Sequence, residues 1–253
     1  MDRPRSDPSL TAGTVTGFMA MPTFWQETPV ARVPVPRETV IDLVFRTRGR
    51  QLPTDHAWTL RQTIIQVLPW LEDEPKAGIH LIHGAQSGNG WQQPDDSSVI
   101  ELSARTRFVL RVPEHRIAQA RKLSDQTLEI DGHAVTVLEA RVRPLTSFSA
   151  VLARHIRVSD STTDESIFLE YAAQWLDELD IAPTKMLCGR IRHFTTPGGP
   201  MLTRSLLIAE LSLKDSAVLQ NNGIGHDRLL GCGLFLPHKS IAAVHTPLTD
   251  DGN

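Results

Sequence analysis

Val40-Ile41-Asp42-Leu43-Val44-Phe45, followed after a short arginine-bearing stretch by Pro53-Thr54-Asp55-His56, reads as a β-strand that feeds an α-helix. β-branched and aromatic side chains crowd the first run, which suits a buried, pleated strand. The second run opens a helix: Ala57, Leu60, Ile64 and Leu68 recur on one face, and Thr54 or Asp55 is expected to cap the first turn. Outward from this unit, 78–83 reads as a short strand. A further strand at 106–112 has Phe108, Leu110 and Val112 alternating against Arg107 and Arg111. Pro113 starts a helix expected over 113–122, a strand follows at 127–130, and 133–142 is extended. The order is βαββαβ.

The second half repeats this order. A strand is expected at 150–158, and Thr162-Thr163-Asp164-Glu165 forms a capping box before a helix that ends near Asp180. Phe168, Ala172, Trp175, Leu176 and Leu179 give that helix its apolar stripe. Strands at 186–194 and 201–213 flank Thr195-Thr196-Pro197-Gly198-Gly199-Pro200, whose composition suits a hairpin turn. A short helix at 214–221 and a last strand at 234–241 complete the set. The fold class is therefore α+β, two ferredoxin-like (RRM-like) βαββαβ domains in tandem, at 38–147 and 148–246. Residues 1–37, rich in Pro, Thr and Ser, read as a tail or strap, with Met19 and Met21 as alternative starts, and 247–253 as a C-terminal tail. No repeat is visible in residue identity, so the duplication rests on element order.

Composition narrows the class. The chain has 253 residues, 40% hydrophobic and 22% charged, which are globular values that exclude disorder and fibrous architecture. No apolar run approaches the roughly 18 residues of a membrane span, and Met1-Asp2-Arg3-Pro4-Arg5 begins no signal peptide, so a cytoplasmic protein is expected. Two cysteines, Cys188 and Cys232, are far apart and outside any zinc-ligand spacing, and both read as buried thiols. No metal site and no cofactor is expected. The net charge of −3 argues against nonspecific nucleic-acid binding, so the placement of individual arginines matters.

Gly223-Ile224-Gly225-His226-Asp227-Arg228-Leu229-Leu230-Gly231-Cys232-Gly233 is the densest glycine cluster. Glycine lets a backbone approach a second backbone or a phosphate and aim N–H groups at it. A tight turn into the last strand would need the same residues, but Arg228 inside the loop and Lys239 beyond it favour an anionic ligand. The P-loop and Rossmann patterns are both missing, so nucleotide hydrolysis and hydride transfer lose their main support.

This glycine-rich run, continuing as Leu234-Phe235-Leu236-Pro237-His238-Lys239, resembles the C-terminal loop of the CRISPR repeat-processing endoribonucleases of the RAMP superfamily. Val40 to Phe45 followed by Leu52-Pro53-Thr54-Asp55-His56 looks like the first strand and first helix of a subfamily of the same enzymes. The resemblance runs from about residue 24 to about residue 241, and its two ends are the specific parts. It implies paired RRM-like folds, recognition of a CRISPR repeat RNA, and metal-independent cleavage to a 2′,3′-cyclic phosphate and a 5′-hydroxyl. It also implies an antiviral role, with the processed guide RNA and other subunits of an interference complex as partners.

Such a cut uses the RNA's own 2′-hydroxyl, so the protein must supply proton transfer and positive charge on the phosphorane. Ten histidines compete. His56 is the first choice: a helix start favours a neutral imidazole, and the resembled enzymes often carry their catalytic histidine in or near the first helix. In the bland reading it is a surface residue of an ordinary helix start. His83 is the second catalytic candidate, with His80 beside it on an unusual strand near Asn89 and Trp91, and Lys239 is the third, a cation for charge stabilisation. Gly223, Gly225, His226, Arg228, Gly231 and Gly233 are expected to contact RNA. So are Arg190 with Arg192, one stripe of a strand, and Arg48 with Arg50 after the first strand. Each arginine alone is an ordinary solvated residue. His238 precedes Lys239 on the last expected strand, and His115, His133, His155, His193 and His245 carry no motif. Three rivals stay open: a noncatalytic guide-RNA scaffold, an unrelated RRM-type binder, and a metal-dependent hydrolase on His80, His83 and Asp95 or Asp96.

Overall fold

A computed structural model describes residues 39–83, 99–183 and 185–238. The expected tails, Asn89, Trp91, Asp95, Asp96 and Lys239 lie outside the described residues. β1 (Val40–Arg48) and β2 (Gln51–Pro53) lead to α1 (Ala57–Val67), β3 (Gly78–His80), β4 (Val99–Glu101) and β5 (Arg107–Pro113). Then come α2 (Ile117–Ala120), β6 (Thr127–Ile130) and β7 (His133–Pro144). The second half has β8 (Val151–Val158), α3 (Glu165–Asp177), β9 (Lys185–Cys188), β10 (Arg192–Thr196), β11 (Gly199–Ala209), α4 (Leu213–Asn222) and β12 (Phe235–Pro237). Among the described residues no helix is long and apolar enough to cross a membrane.

The first sheet runs β3-β5-β1-β7-β6 and the second β10-β11-β8-β12, with β9 also paired to β11. In both, the first strand of the half sits between the third and the last, and the second strand lies on the outer side of the third. Every pairing is antiparallel. This is the ferredoxin-like arrangement, built twice. The ribbon of β2 with β4 is a separate addition.

Ile41, Leu43 and Phe45 face the core of the first half, with Leu60 and Ile64 of α1 and Phe108, Leu110 and Val112 of β5. Phe45 stands directly opposite Phe108, with ring centroids 5.6 Å apart. Each such side chain contributes about 1.5–3 kcal/mol by leaving water. The second core gathers Ile156, Phe168, Ala172, Leu176, Leu206, Ile208 and Phe235. The first core also includes Phe194, Met201, Leu230 and Cys232, all supplied by the second half.

Several expected elements differ. The helix expected over 113–122 is broken into the 3-10 turns Glu114–Arg116 and Arg121–Leu123 on either side of α2. The strand expected at 186–194 is interrupted after Cys188, so Arg190 sits in the gap and Arg192 begins β10; they do not form one stripe. The strand expected at 78–83 ends at His80. α3 is capped by Asp164, which accepts the N–H groups of Ser166 and Ile167, and Thr162 instead closes a box with Ser159. The residue preceding α1 is His56, with no side-chain cap, because Asp55 turns away to accept the N–H of Thr195 at 2.8 Å.

Candidate active site in the cleft between the sheets

The alternation that sends Ile41, Leu43 and Phe45 to the helices sends Asp42 to the opposite face, where β5 places Arg111 across from it. Arg111 is 0% exposed. Its Nε and Nη2 donate to the Asp42 carboxylate at 2.8 and 3.2 Å, and its Nη1 donates to the carbonyls of Gln220 and Phe235 at 3.1 and 2.9 Å. Arg143 reaches Asp42 at 2.9 Å from β7. Burial alone would raise the Asp42 carboxyl, but Arg111 and His80 hold it well below the usual carboxylate range. Arg111 thus ties the end of α4 and β12 to the first sheet.

Beside this tie a cleft of about 480 Å³ opens between the sheets. From the first half it is lined by His80 and His83, where the chain leaves β3, and by Arg105, Arg107 and Arg143. Arg154 and His155 of β8 enter from the second half, and Leu81, Leu234 and Leu236 form an apolar wall. Among the described residues no carboxylate lines it. Burial pushes the His83 imidazole well below its ordinary value, and Arg154 adds to the effect. Burial, Arg192 and Arg154 push His155 down to about 3. Burial and Arg192 lower Arg154 to about 10. His155 packs on the Phe194 ring at 4.7 Å, and its Nδ1 lies 3.2 Å from the Thr203 hydroxyl. An anion placed here would meet cations and neutral imidazoles together.

His56 is 2% exposed and does not reach the cleft wall. Its Nδ1 lies 2.8 Å from the Pro53 carbonyl and 3.2 Å from that of Thr54, and its Nε2 accepts the N–H of Ile82 at 3.1 Å. A carbonyl needs a donor and an amide needs an acceptor, so only the neutral Nδ1–H tautomer makes all of these bonds. Burial lowers its pKa, against the opposing bonds to Pro53 and Thr54. The imidazole expected to act at a helix start accepts the backbone N–H one residue before His83.

The glycine-rich run is a backbone crossing. Gly223 ends α4 at φ +68°, Gly233 has φ +69°, and a Cβ on Gly233 would stand 2.2 Å from the Ile224 carbonyl oxygen. The N–H groups of Gly223, Gly231 and Gly233 donate to Leu219, Arg228 and His155. Those three amides donate within the protein. Gly225 has φ +69° and lies against Trp175, and His226 is exposed at the loop's outer side. Arg228 donates to the carbonyls of Ala77, Lys76 and Asn222, and burial followed by Arg111 lowers it to about 10. Its guanidinium fastens the loop to the turn before β3. Arg48 and Arg50 are exposed at the end of β1, and Arg190 and Arg192 are exposed near β10.

The cleft brings together one expected catalytic residue, His83, with Arg154, His155, Arg105, Arg107 and Arg143, which sequence reasoning left aside. A signal existed for Arg154: it alternates with the buried Val151 and Ala153 and so belongs on the open face of β8. Nothing in the sequence marks His155. Among the described residues no three His, Cys, Asp or Glu side chains stand together as a metal would require. Cys232 is buried, its thiol raised to about 12 by burial, whereas Cys188 is only partly buried.

Comparisons with known proteins agree with this architecture. A family model described as Cas6 Crispr matches residues 41–240. The CRISPR-associated endonuclease Cas6 of Myxococcus xanthus (strain DK1622) is 27% identical over 206 residues, covering 81% of this chain and 85% of the relative. A solved CRISPR associated protein Cas6 superposes with a TM-score of 0.55 at 11% identity, over 80% of this chain and 100% of that one. A Cas6-related protein from Pyrococcus furiosus gives 0.52 at 11% identity, over 78% and 97%. These two superpositions speak to the fold, the tandem ferredoxin-like pair. With the family match spanning both sheets and the cleft between them, the chain belongs to the Cas6 family.

Proposed function

We propose that this protein is an endoribonuclease that cuts CRISPR repeat RNA into guide RNAs, by attack of a ribose 2′-hydroxyl on the adjacent phosphate, without a metal. The products are a 2′,3′-cyclic phosphate and a 5′-hydroxyl. The observation that carries this reading is the cleft: three histidines and four arginines, with no carboxylate among the described residues that line it, on a Cas6 scaffold. His83, neutral near pH 7, accepts the 2′-hydroxyl proton as the 2′-oxygen bonds to phosphorus. The bond to the 5′-oxygen breaks and that oxygen takes up a proton. Arg154 and Arg143 face the charge that gathers on the phosphorane, and Lys239 is the further cation the sequence offers. A bound phosphate also counters the repulsion that Arg154 exerts on a protonated His83, so the imidazole is a stronger base in the complex than in the free protein. The processed guide RNA is the ligand left in place after the cut.

Labelled repeat RNA incubated with the protein in EDTA is expected to be cleaved as fast as in magnesium, and one 2′-deoxy substitution at the scissile nucleotide is expected to stop the cut. Cleavage that needs a divalent ion, or that proceeds on the deoxy-substituted repeat, sinks the mechanism.

His56 is a positioning residue in this scheme. His56→Ala leaves the Ile82 N–H without its acceptor, at a cost of about 1–3 kcal/mol, and loosens the backbone that carries His83. In His56→Gln one amide supplies both a donor and an acceptor but no titratable group. We expect the glutamine variant to recover cleavage well above the alanine variant and to keep the wild-type pH–rate profile. Equal, complete loss in both folded variants would make His56 the base.

A further inference from the structure

We propose that His155 reads ribose: its Nε2 accepts a hydrogen bond from the 2′-hydroxyl of a nucleotide beside the scissile one, and so favours RNA over DNA in the cleft. The proposal rests on the reading of this protein as an RNA binder and adds to that cleft a residue that sets specificity.

A β-bulge puts His155 there. β11 pairs Arg204 with Ile156 and Leu206 with Ala153, so Ser205 alone stands opposite both Arg154 and His155. Val151 and Ala153 before the bulge, and Ile156 and Val158 after it, belong to the core of the second half. The two residues between them both turn away from that core and line the cleft. Simple alternation would have brought only one of them to that face.

The ring is then fixed in place and in tautomer. It packs on Phe194 at 4.7 Å, and the backbone carbonyl of His155 accepts the Gly233 N–H at 2.8 Å. The Thr203 hydroxyl donates its one hydrogen to the Arg192 carbonyl at 3.5 Å, so the His155 Nδ1–H, 3.2 Å away, donates to Thr203 and Nε2 keeps the lone pair. Among the described residues Nε2 has no hydrogen-bond partner. Burial, Arg192 and Arg154 hold the imidazole down at about 3, so near neutral pH it neither pairs with a phosphate nor supplies a proton.

That chemistry names the ligand group. A fixed lone pair needs a donor, and RNA carries donors on its base edges and at its 2′-hydroxyls. Each base has a donor on its Watson–Crick edge, so a single acceptor does not sort them, whereas the 2′-hydroxyl separates RNA from DNA. Arg154 is the adjoining residue on the same face, and a phosphate that it holds brings the attached sugar toward His155. The nucleophilic hydroxyl gives its proton to His83, so the hydroxyl read by His155 belongs to a neighbouring ribose.

The test measures affinity for a repeat RNA made uncleavable by 2′-deoxy substitution at the scissile nucleotide. A further 2′-deoxy is then placed singly at each neighbouring nucleotide, and a parallel set carries single base changes at the same positions. For wild type one of the deoxy substitutions is expected to raise Kd about threefold to tenfold, the worth of one neutral hydrogen bond. In His155→Phe, which keeps a ring beside Phe194 and loses the acceptor, the same substitution should have no further effect. His155→Gln keeps a carbonyl acceptor and should retain part of the sugar effect. Thr203→Val takes away the partner of Nδ1 and should shrink it, so the outcome does not hang on the folding of one variant. A wild type indifferent to every neighbouring sugar, a sugar effect undiminished in the folded variants, or coupling of His155 to a base change in place of a sugar overturns the proposal. No arm requires cleavage, so a sugar effect that depends on His155 in a protein that cuts no repeat would remove the nuclease and leave this reading standing.

Discussion

Replacing His83 with alanine is expected to slow single-turnover cleavage of a repeat RNA by about 10²–10⁴-fold, the range that a positioned proton-transfer group supplies. RNA affinity should change far less, since Arg154, Arg143 and Arg107 remain in the cleft wall. The pH profile gives a second reading. A base works unprotonated, and the His83 value is held well below 6.5 by burial and Arg154, so wild-type kcat/KM should be flat through neutrality and fall only in acid. In His83→Ala that acidic limb should vanish. His56, His80, His83 and His155 are all lowered, so between the unperturbed and folded values the unfolded chain binds more protons. Stability is therefore full above about pH 6.5 and is lost as pH falls below it. Melting curves in the same buffers separate loss of the base from loss of the fold. A folded His83→Ala protein that cleaves at the wild-type rate removes His83 from the mechanism.

The second large effect falls on stability. Arg111→Met should cost about 3–5 kcal/mol, because Asp42 stays buried with its strongest partner gone and the Gln220 and Phe235 carbonyls lose their donor. In a chain of this size that lowers Tm by roughly 6–20 °C. Adding Asp42→Leu to Arg111→Met should recover part of the loss, since an apolar pair avoids the stranded charge. A Tm for Arg111→Met within a degree or two of wild type would show that the tie carries no weight.

β1, α1, β5, β6, β8 and α4 were legible because their periodicity is strong and local, and the hairpin of β10 and β11 because its turn chemistry is explicit. What was not legible depends on the other half of the chain. Arg111 alternates with Leu110 and Val112 and so reads as solvent-facing, but alternation names a face and cannot say that a second sheet covers it. His56 stands where a catalytic histidine would be sought, and only the distant Ile82 amide shows that both ring nitrogens are already bonded. The glycines were read as sites of close backbone approach, and one such approach lies within the chain. The partner at Gly233 is the chain itself, at Ile224.

The side chains shared between the halves bear on how the molecule is made. Phe194, Met201, Leu230 and Cys232 complete an interior whose other members lie before residue 141. A nascent chain that has only just emerged from the ribosome with its first half therefore has a hole where those four groups belong. It must wait for most of translation before that half can close, a delay in which exposed strands are open to aggregation or chaperone capture.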